Sequence, residues 1–262
     1  MEKTSSLHRP DYPYAVPFER YRVLLDEDFA RMRALAERAR YEVVPFCDGW
    51  RGEDVLRHTA TVYLHKVAAI AAGRSGQPPR PWPPEHLGAV DAVDLLDDAY
   101  AQLIRAFDAH DPADPSWTWW PDDQSVGFWI RRMAHETSVH RRDVENAIGE
   151  GTPVADDLAI DGIDEVLALM LEGDWSSAMV DAASGSTVEV ASGEHAWALT
   201  LESASVRFSR EPATRAAARV SGPPSQVLLW LWGRGPLPRA GSDAPAAPPV
   251  QELRDRLALA TR

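Results

Sequence analysis

Cysteine occurs once in the 262 residues, at Cys47. A lone cysteine excludes an internal disulfide framework and any multi-cysteine metal knuckle, so thiol chemistry here would rest on Cys47 or on a thiol from outside. Basic residues are also short: 27 Lys and Arg against 40 Asp and Glu leave a net charge of -13. No basic cluster runs longer than a residue pair or so, which argues against nucleic acid as a partner. No apolar run approaches the roughly 20 residues of a membrane span. The opening MEKTSSLHRPDYPYAVPFER lacks both the basic and the apolar segments of a signal peptide. Together these absences predict a cytoplasmic protein with small-molecule partners, no nucleic acid and no membrane, as a monomer or homodimer. Lysine is scarce while Ala, Arg, Pro and Trp are plentiful, a composition typical of high-GC genomes.

What is present is a globular composition, 45% hydrophobic and 26% charged, long enough to bury a real core. The first half reads as helices between proline-rich breaks. From Tyr21 to Arg40, Leu24, Leu25, Phe29, Met32, Leu35 and Ala36 recur at helical spacing. A second helix starts near Gly52, with Glu53 and Asp54 in its first turn, and runs to about Ala72. After GRSGQPPRPWPP, which proline bars from regular structure, DAVDLLDDAYAQLIRAFDAH forms a third. The fourth spans roughly Ser125 to Ile148 and is closed by Gly149. Four amphipathic helices of this length predict a four-helix bundle. DDLAIDGIDEVLALMLEGDW continues helical, and then STVEVAS, AWALTLES and SVRFS alternate as strands, with a turn at Ser192-Gly193. AAARVSGPPSQVLLWLWGR reads as a strand, a break and an apolar helix, and APPVQELRDRLALATR as a short closing helix. The fold class is therefore α+β in two domains, a bundle over 1–155 and a smaller α+β domain over 156–262.

On a wheel of about 100° per residue, Glu136 lies about 40° from His140, on a stripe with Trp129, Met133, Thr137 and Val144. A carboxylate facing a bundle core is costly unless it is paired or holds a metal. His135 points away from this face and is expected at the surface. On the second helix His58 shares an inward stripe with Val55, Val62 and Ala69. His58 with an i, i+4 pair of Glu136 and His140 would supply three metal ligands from facing helices and leave a fourth position open, the mark of a catalytic zinc. The motif differs from HExxH, where the glutamate stays free as a base. The competing reading is that Glu136 pairs with an arginine of a neighbouring helix and His58 is a satisfied core residue. His65, one heptad beyond His58, is a fourth ligand, a substrate contact or merely near the bundle end. Asp143 either orients a ligand from behind as a supporting catalytic residue or is an exposed acid pairing with arginine.

Several stretches resemble a known family. VVPFCDGWRGEDVLRH, WIRRMAHETSVHRRDVENAIG and LAIDGIDEVL are similar, in order, to three motifs of the mycothiol-dependent maleylpyruvate isomerase family, and VSGPPSQVLLWLWGR resembles its C-terminal domain. The resemblance covers nearly the whole chain. It implies a DinB-like metal-binding bundle followed by a sterol-carrier-like α+β domain, with His58, Glu136 and His140 at the positions of the family's metal triad, usually zinc. It further implies that the metal activates mycothiol, the small thiol of actinobacteria, to attack an electrophilic substrate. An isomerase adds the thiolate to a cis double bond, allows rotation and expels it; an S-transferase keeps it. Trp50 matches a tryptophan that holds the loop before the second helix, and Cys47 is expected to be a small buried residue. Two departures stand out. Arg142 replaces the family's commoner tryptophan, leaving Arg141 and Arg142 to meet anionic substrate groups or to solvate the helix. RAGSDAPAAPPVQEL replaces a Gly-Asp-bearing segment, so a shortened last strand is expected. The rival functions are a zinc metallohydrolase, with Asp143 or His65 as base, and a non-catalytic metal- or ligand-binding protein.

Overall fold

The computed structural model describes residues 12–176, 185–238 and 247–261. The chain divides into two compact units between Thr152 and Pro153.

The first unit is a four-helix bundle: α1 (Phe18–Ala39), α2 (Gly52–Ala72), α3 (Ala92–Asp108) and α4 (Val126–Ala147). The apolar spacing of each helix sets what it buries. Leu24, Leu25, Met32, Leu35 and Ala36 of α1 and Leu95, Leu96, Ala99, Leu103 and Phe107 of α3 are all in the core. The side chain of Asp91 caps α3 by accepting from the Val93 and Asp94 amides, and Ser125 caps α4 by accepting from Phe128 N at 3.2 Å. Gly52 begins α2 where any Cβ would meet the carbonyl oxygen of Ala39 at 2.2 Å, so the end of α1 and the start of α2 cross at a distance only glycine allows. α1 packs along α4 and α2 along α3, while α2 also lies against α4. Almost all of α4 is consequently buried, charged residues included.

The second unit is α+β. α5 (Asp156–Glu165) passes into a π-helical turn (Val166–Leu171) and then a two-residue strand, β1 (Gly173–Asp174). The sequence pattern suggested one helix through this segment. The chain instead becomes extended at Glu172, and Gly173 takes φ +136°, a region that L side chains rarely enter. β2 (Thr187–Ser192), β3 (His195–Leu201), β4 (Ser205–Ser209) and β5 (Ala218–Ser221) complete a sheet of order β1-β4-β3-β2-β5, antiparallel except where β2 meets β5. Val188, Val190, Trp197, Leu199, Leu201, Val206 and Val220 supply its buried face. α6 (Pro224–Leu231) and α7 (Pro248–Ala260) each start with proline in the first turn, where no amide donor is missed. The buried carboxylate of Asp164 on α5 takes both a bidentate pair from Arg210 and the indole N–H of Trp197. The shortened last strand expected around 239–246 lies outside the described residues. No described helix is long and apolar enough to cross a membrane.

Candidate metal centre

Three side chains from two helices of the bundle converge. The Gly52 crossing starts α2 so that His58 falls in its second turn, facing α4. There Glu136 and His140, one turn apart, stand on the same side of the helix. His58 Nε2 is 3.3 Å and His140 Nε2 3.1 Å from the same oxygen, Glu136 Oε1. One ligand atom from each of the three lies within 4.8 Å of the others. The two imidazole rings meet edge to face, centroids 4.8 Å apart.

The surroundings fix the roles of the remaining atoms. Asp143, fully buried, has Oδ2 3.0 Å from His140 Nδ1. The exposed-acid reading of Asp143 is thereby overturned. With Nδ1–H donating to Asp143, an ion that displaces the Nε2 proton would meet the Nε2 lone pair on the side of the cluster. The other oxygen of Glu136 accepts from Arg132 Nη2, one turn earlier on α4. Burial would raise the Glu136 pKa, but Arg132, His140 and His58 outweigh it and hold the carboxyl well below its ordinary value. Burial likewise works against charge on His140, yet Glu136 and Asp143 bring it up to about 9. Two imidazole nitrogens and one carboxylate oxygen, with the far sides of His140 and Glu136 already hydrogen-bonded, make a donor set that fits zinc or a similar divalent ion with a position to spare. His58 is the open edge of the cluster, its side chain 39% exposed. It lines a cavity of about 270 Å³ with Trp50, Asp54, Arg57, Thr61 and Leu87.

Trp50 sits at the end of the α1–α2 loop. Its amide and carbonyl bond to Cys47 and Val44, as a loop-holding residue should, and its ring lies 5.2 Å from that of His58. Cys47 is partly exposed rather than buried, because the loop it belongs to lies on the surface beside exposed Tyr41, Val43 and Phe46. His135, expected at the surface, is 1% exposed and packs edge-on to Tyr21 of α1. The wheel correctly turned it from α2, but α1 covers that second face of α4. His65 is not among the converging atoms. It stands between Trp82 and Trp117 at 5.3 and 6.3 Å, and burial, with Lys66 and Arg80, pushes its pKa down to about 4. Arg141 does not solvate the helix: it is buried and pairs with Asp28 at 3.0 Å and Glu145 at 2.7 Å. Arg142 pairs more loosely with Glu145, at 3.5 Å. One residue that contacts the site escapes the sequence reading, Arg132. Only its i, i+4 spacing to Glu136 could have signalled it.

A family model described as the mycothiol maleylpyruvate isomerase N-terminal domain matches residues 24–145, and one described as the MDMPI C-terminal domain matches 157–250. Among solved structures, the chain is similar to the crystal structure of the mycothiol-dependent maleylpyruvate isomerase, with 14% identity and a TM-score of 0.59. The match covers 84% of this chain and 90% of that one. A histidine-to-alanine mutant of that enzyme matches with the same identity and coverage and a TM-score of 0.58. These two likenesses bear on the fold. No curated protein matches the sequence.

Proposed function

The chain belongs to the mycothiol maleylpyruvate isomerase family, and from that premise we propose that it is a mycothiol-dependent metalloenzyme acting on a small electrophile, isomerising maleylpyruvate or a similar cis-unsaturated acid. The observation that carries the reading is the meeting of His58 Nε2 and His140 Nε2 at Glu136 Oε1, beside a cavity on the His58 side. His58, Glu136 and His140 would hold zinc. When bound, the ion would lower the pKa of a thiol at its open position, so that the nucleophile is present as thiolate at neutral pH.

The chain's own residues then have defined tasks. Asp143 keeps the His140 proton on Nδ1, so that Nε2 stays a donor to the ion. Arg132 anchors the far oxygen of Glu136 and prevents the carboxylate from swinging to a bidentate pose. Trp50 packs on the His58 ring and walls the cavity from which thiol and electrophile would approach. A nucleophilic water would need a base beside the open position. Asp143 is fully buried and engaged by His140, and His65 stands apart between tryptophans, which favours the thiol over the hydrolytic reading.

The test is to incubate the zinc-containing protein with mycothiol and maleylpyruvate. Formation of the trans isomer without consumption of thiol is expected. A stable thioether product would instead mark an S-transferase, and no turnover of this or of alkylating electrophiles would refute the reading. A second prediction concerns Asp143. In Asp143→Asn the amide still fills the space, but it can present N–H to His140 Nδ1 and no longer enforces the tautomer. Zinc affinity is expected to fall about 10- to 100-fold, measured by competition with a chromophoric chelator.

A further inference from the structure

Lys66 is one of only two lysines in the chain. It lies on α2 eight residues beyond His58, on a partly exposed stretch with Thr61, Val62 and His65. Its ammonium stands 4.6 Å from the centroid of the Trp129 ring of α4, and its Nζ is 3.2 Å from His65 Nδ1. No carboxylate lies within ion-pair distance of it among the described residues. The neighbouring cation Arg132 differs in this respect, because it pairs with Glu136. Desolvating an ammonium is costly, and a tryptophan face offsets only part of that. An ammonium has three donors. His65, neutral because its pKa is near 4, accepts one of them. Burial lowers the Lys66 pKa to about 8, with Glu136 raising and Arg132 lowering it, so the charge is present at neutral pH.

The placement says what this charge is for. Eight residues of helix separate the Cα atoms of His58 and Lys66 by about 12 Å, and the Lys66 side chain crosses to Trp129 on α4, the helix that carries Glu136 and His140. Glu136 is already committed on both oxygens, to Arg132 and to the two histidines. The ammonium, with no carboxylate paired to it among the described residues, stands against the face of Trp129 and is near enough to Glu136 and Arg132 for both charges to act on it.

We propose that Lys66 is the specificity-determining residue that receives a carboxylate of the electrophile and so points its double bond at the metal-bound thiol. The ligand class is a small, planar, unsaturated acid with a carboxylate remote from the carbon attacked. This inference rests on the thiol-dependent reading of the site, and its test does not need turnover.

The test compares wild type, Lys66→Met and Lys66→Arg, each loaded with zinc, by calorimetric titration with maleylpyruvate in the absence of thiol. The loss of one charge-assisted hydrogen bond in Lys66→Met is expected to weaken binding about 10- to 100-fold. Lys66→Arg keeps binding within a few fold, and the dimethyl ester of the acid binds wild type and Lys66→Met alike. Zinc content stays at wild-type level, and the melting temperature of Lys66→Met does not fall, since an unpaired buried charge has been removed. Equal binding of the acid by wild type and Lys66→Met, or an equal loss for acid and ester, overturns the proposal. Lys66-dependent binding in a protein that turns over no electrophile with mycothiol would refute the enzymatic reading and leave the anion site standing.

Discussion

Replacing His58 by alanine should empty the metal centre and abolish thiol-dependent turnover while leaving the fold intact. The separation of the two effects follows from where His58 stands. Its side chain is the most exposed of the three, and its polar and ring contacts are with Glu136 Oε1 and the Trp50 and His140 rings. Truncation opens no core cavity. It also strands no charge, because Glu136 keeps Arg132 and His140. Alanine is the better helix former at that position. Losing a supporting residue behind a metal ligand costs about 10- to 100-fold in affinity. Losing the ligand itself leaves one imidazole and one carboxylate, so the fall in zinc affinity is expected to exceed 100-fold and kcat/KM to drop at least as far. Zinc content after dialysis, with melting temperature alongside, decides it. A variant that retains one equivalent of zinc would show that the ion is held elsewhere.

Glu145→Ala should have the opposite profile, a large loss of stability in a residue that meets no substrate. Glu145 is wholly buried and accepts from Arg141 Nη1 at 2.7 Å, Arg31 Nε at 3.1 Å, and both the amide and the hydroxyl of Thr152 at 2.8 Å. It ties α1 to α4 and fastens the chain leaving α4. Its removal takes from the buried Arg141 guanidinium the carboxylate it holds at 2.7 Å, and breaking a buried pair of this kind costs about 3–5 kcal/mol. For a unit of this size that corresponds to roughly 10 °C in melting temperature. The acid limb of the stability curve provides a second readout. Burial would raise the Glu145 pKa, but the Thr152 amide and the Arg141 charge outweigh it and lower the pKa below the model-peptide value of 4.5. A carboxyl depressed on folding contributes stability above its unfolded pKa and loses it as pH falls through the folded one. Wild type therefore weakens below about pH 4.5 in a way the variant does not. Asp28, raised by burial despite Arg141, acts in the opposite sense and offsets part of that acid loss.

The periodicity that marks the four helices was plain in the sequence because each carries a stripe of Leu, Ile, Phe and Ala at 3.6-residue spacing, and the caps Ser125 and Asp91 stand where those stripes begin. His58, Glu136 and His140 could be placed on inward faces for the same reason. What failed shares one physical cause. α4 carries four arginines and two glutamates, five of these six side chains buried, so it reads as amphipathic although both of its faces are covered, and His135 falls on a face that α1 occupies. Lys66 was passed over in the same way: on a wheel, a lysine in HTATVYLHKVAAIAA is a surface residue, and only the position of Trp129 shows otherwise. The change from α5 to a π-helical turn at Val166 and to extended chain at Glu172 leaves no mark in the apolar spacing of VLALML.

The burial of α4 bears on timing as well as on structure. A helix packed on all sides opens only with global unfolding, whereas one with an exposed stripe also opens in local excursions. Glu136 and His140 ride on the former and His58 on the latter. The site thus joins a helix covered on nearly every side to one with an exposed side. Amide exchange across α4 should be among the slowest in the molecule, and the residence time of an ion would be governed by how often the first turns of α2 breathe, a clock set by the loop around Trp50 rather than by the strength of any one bond to the metal.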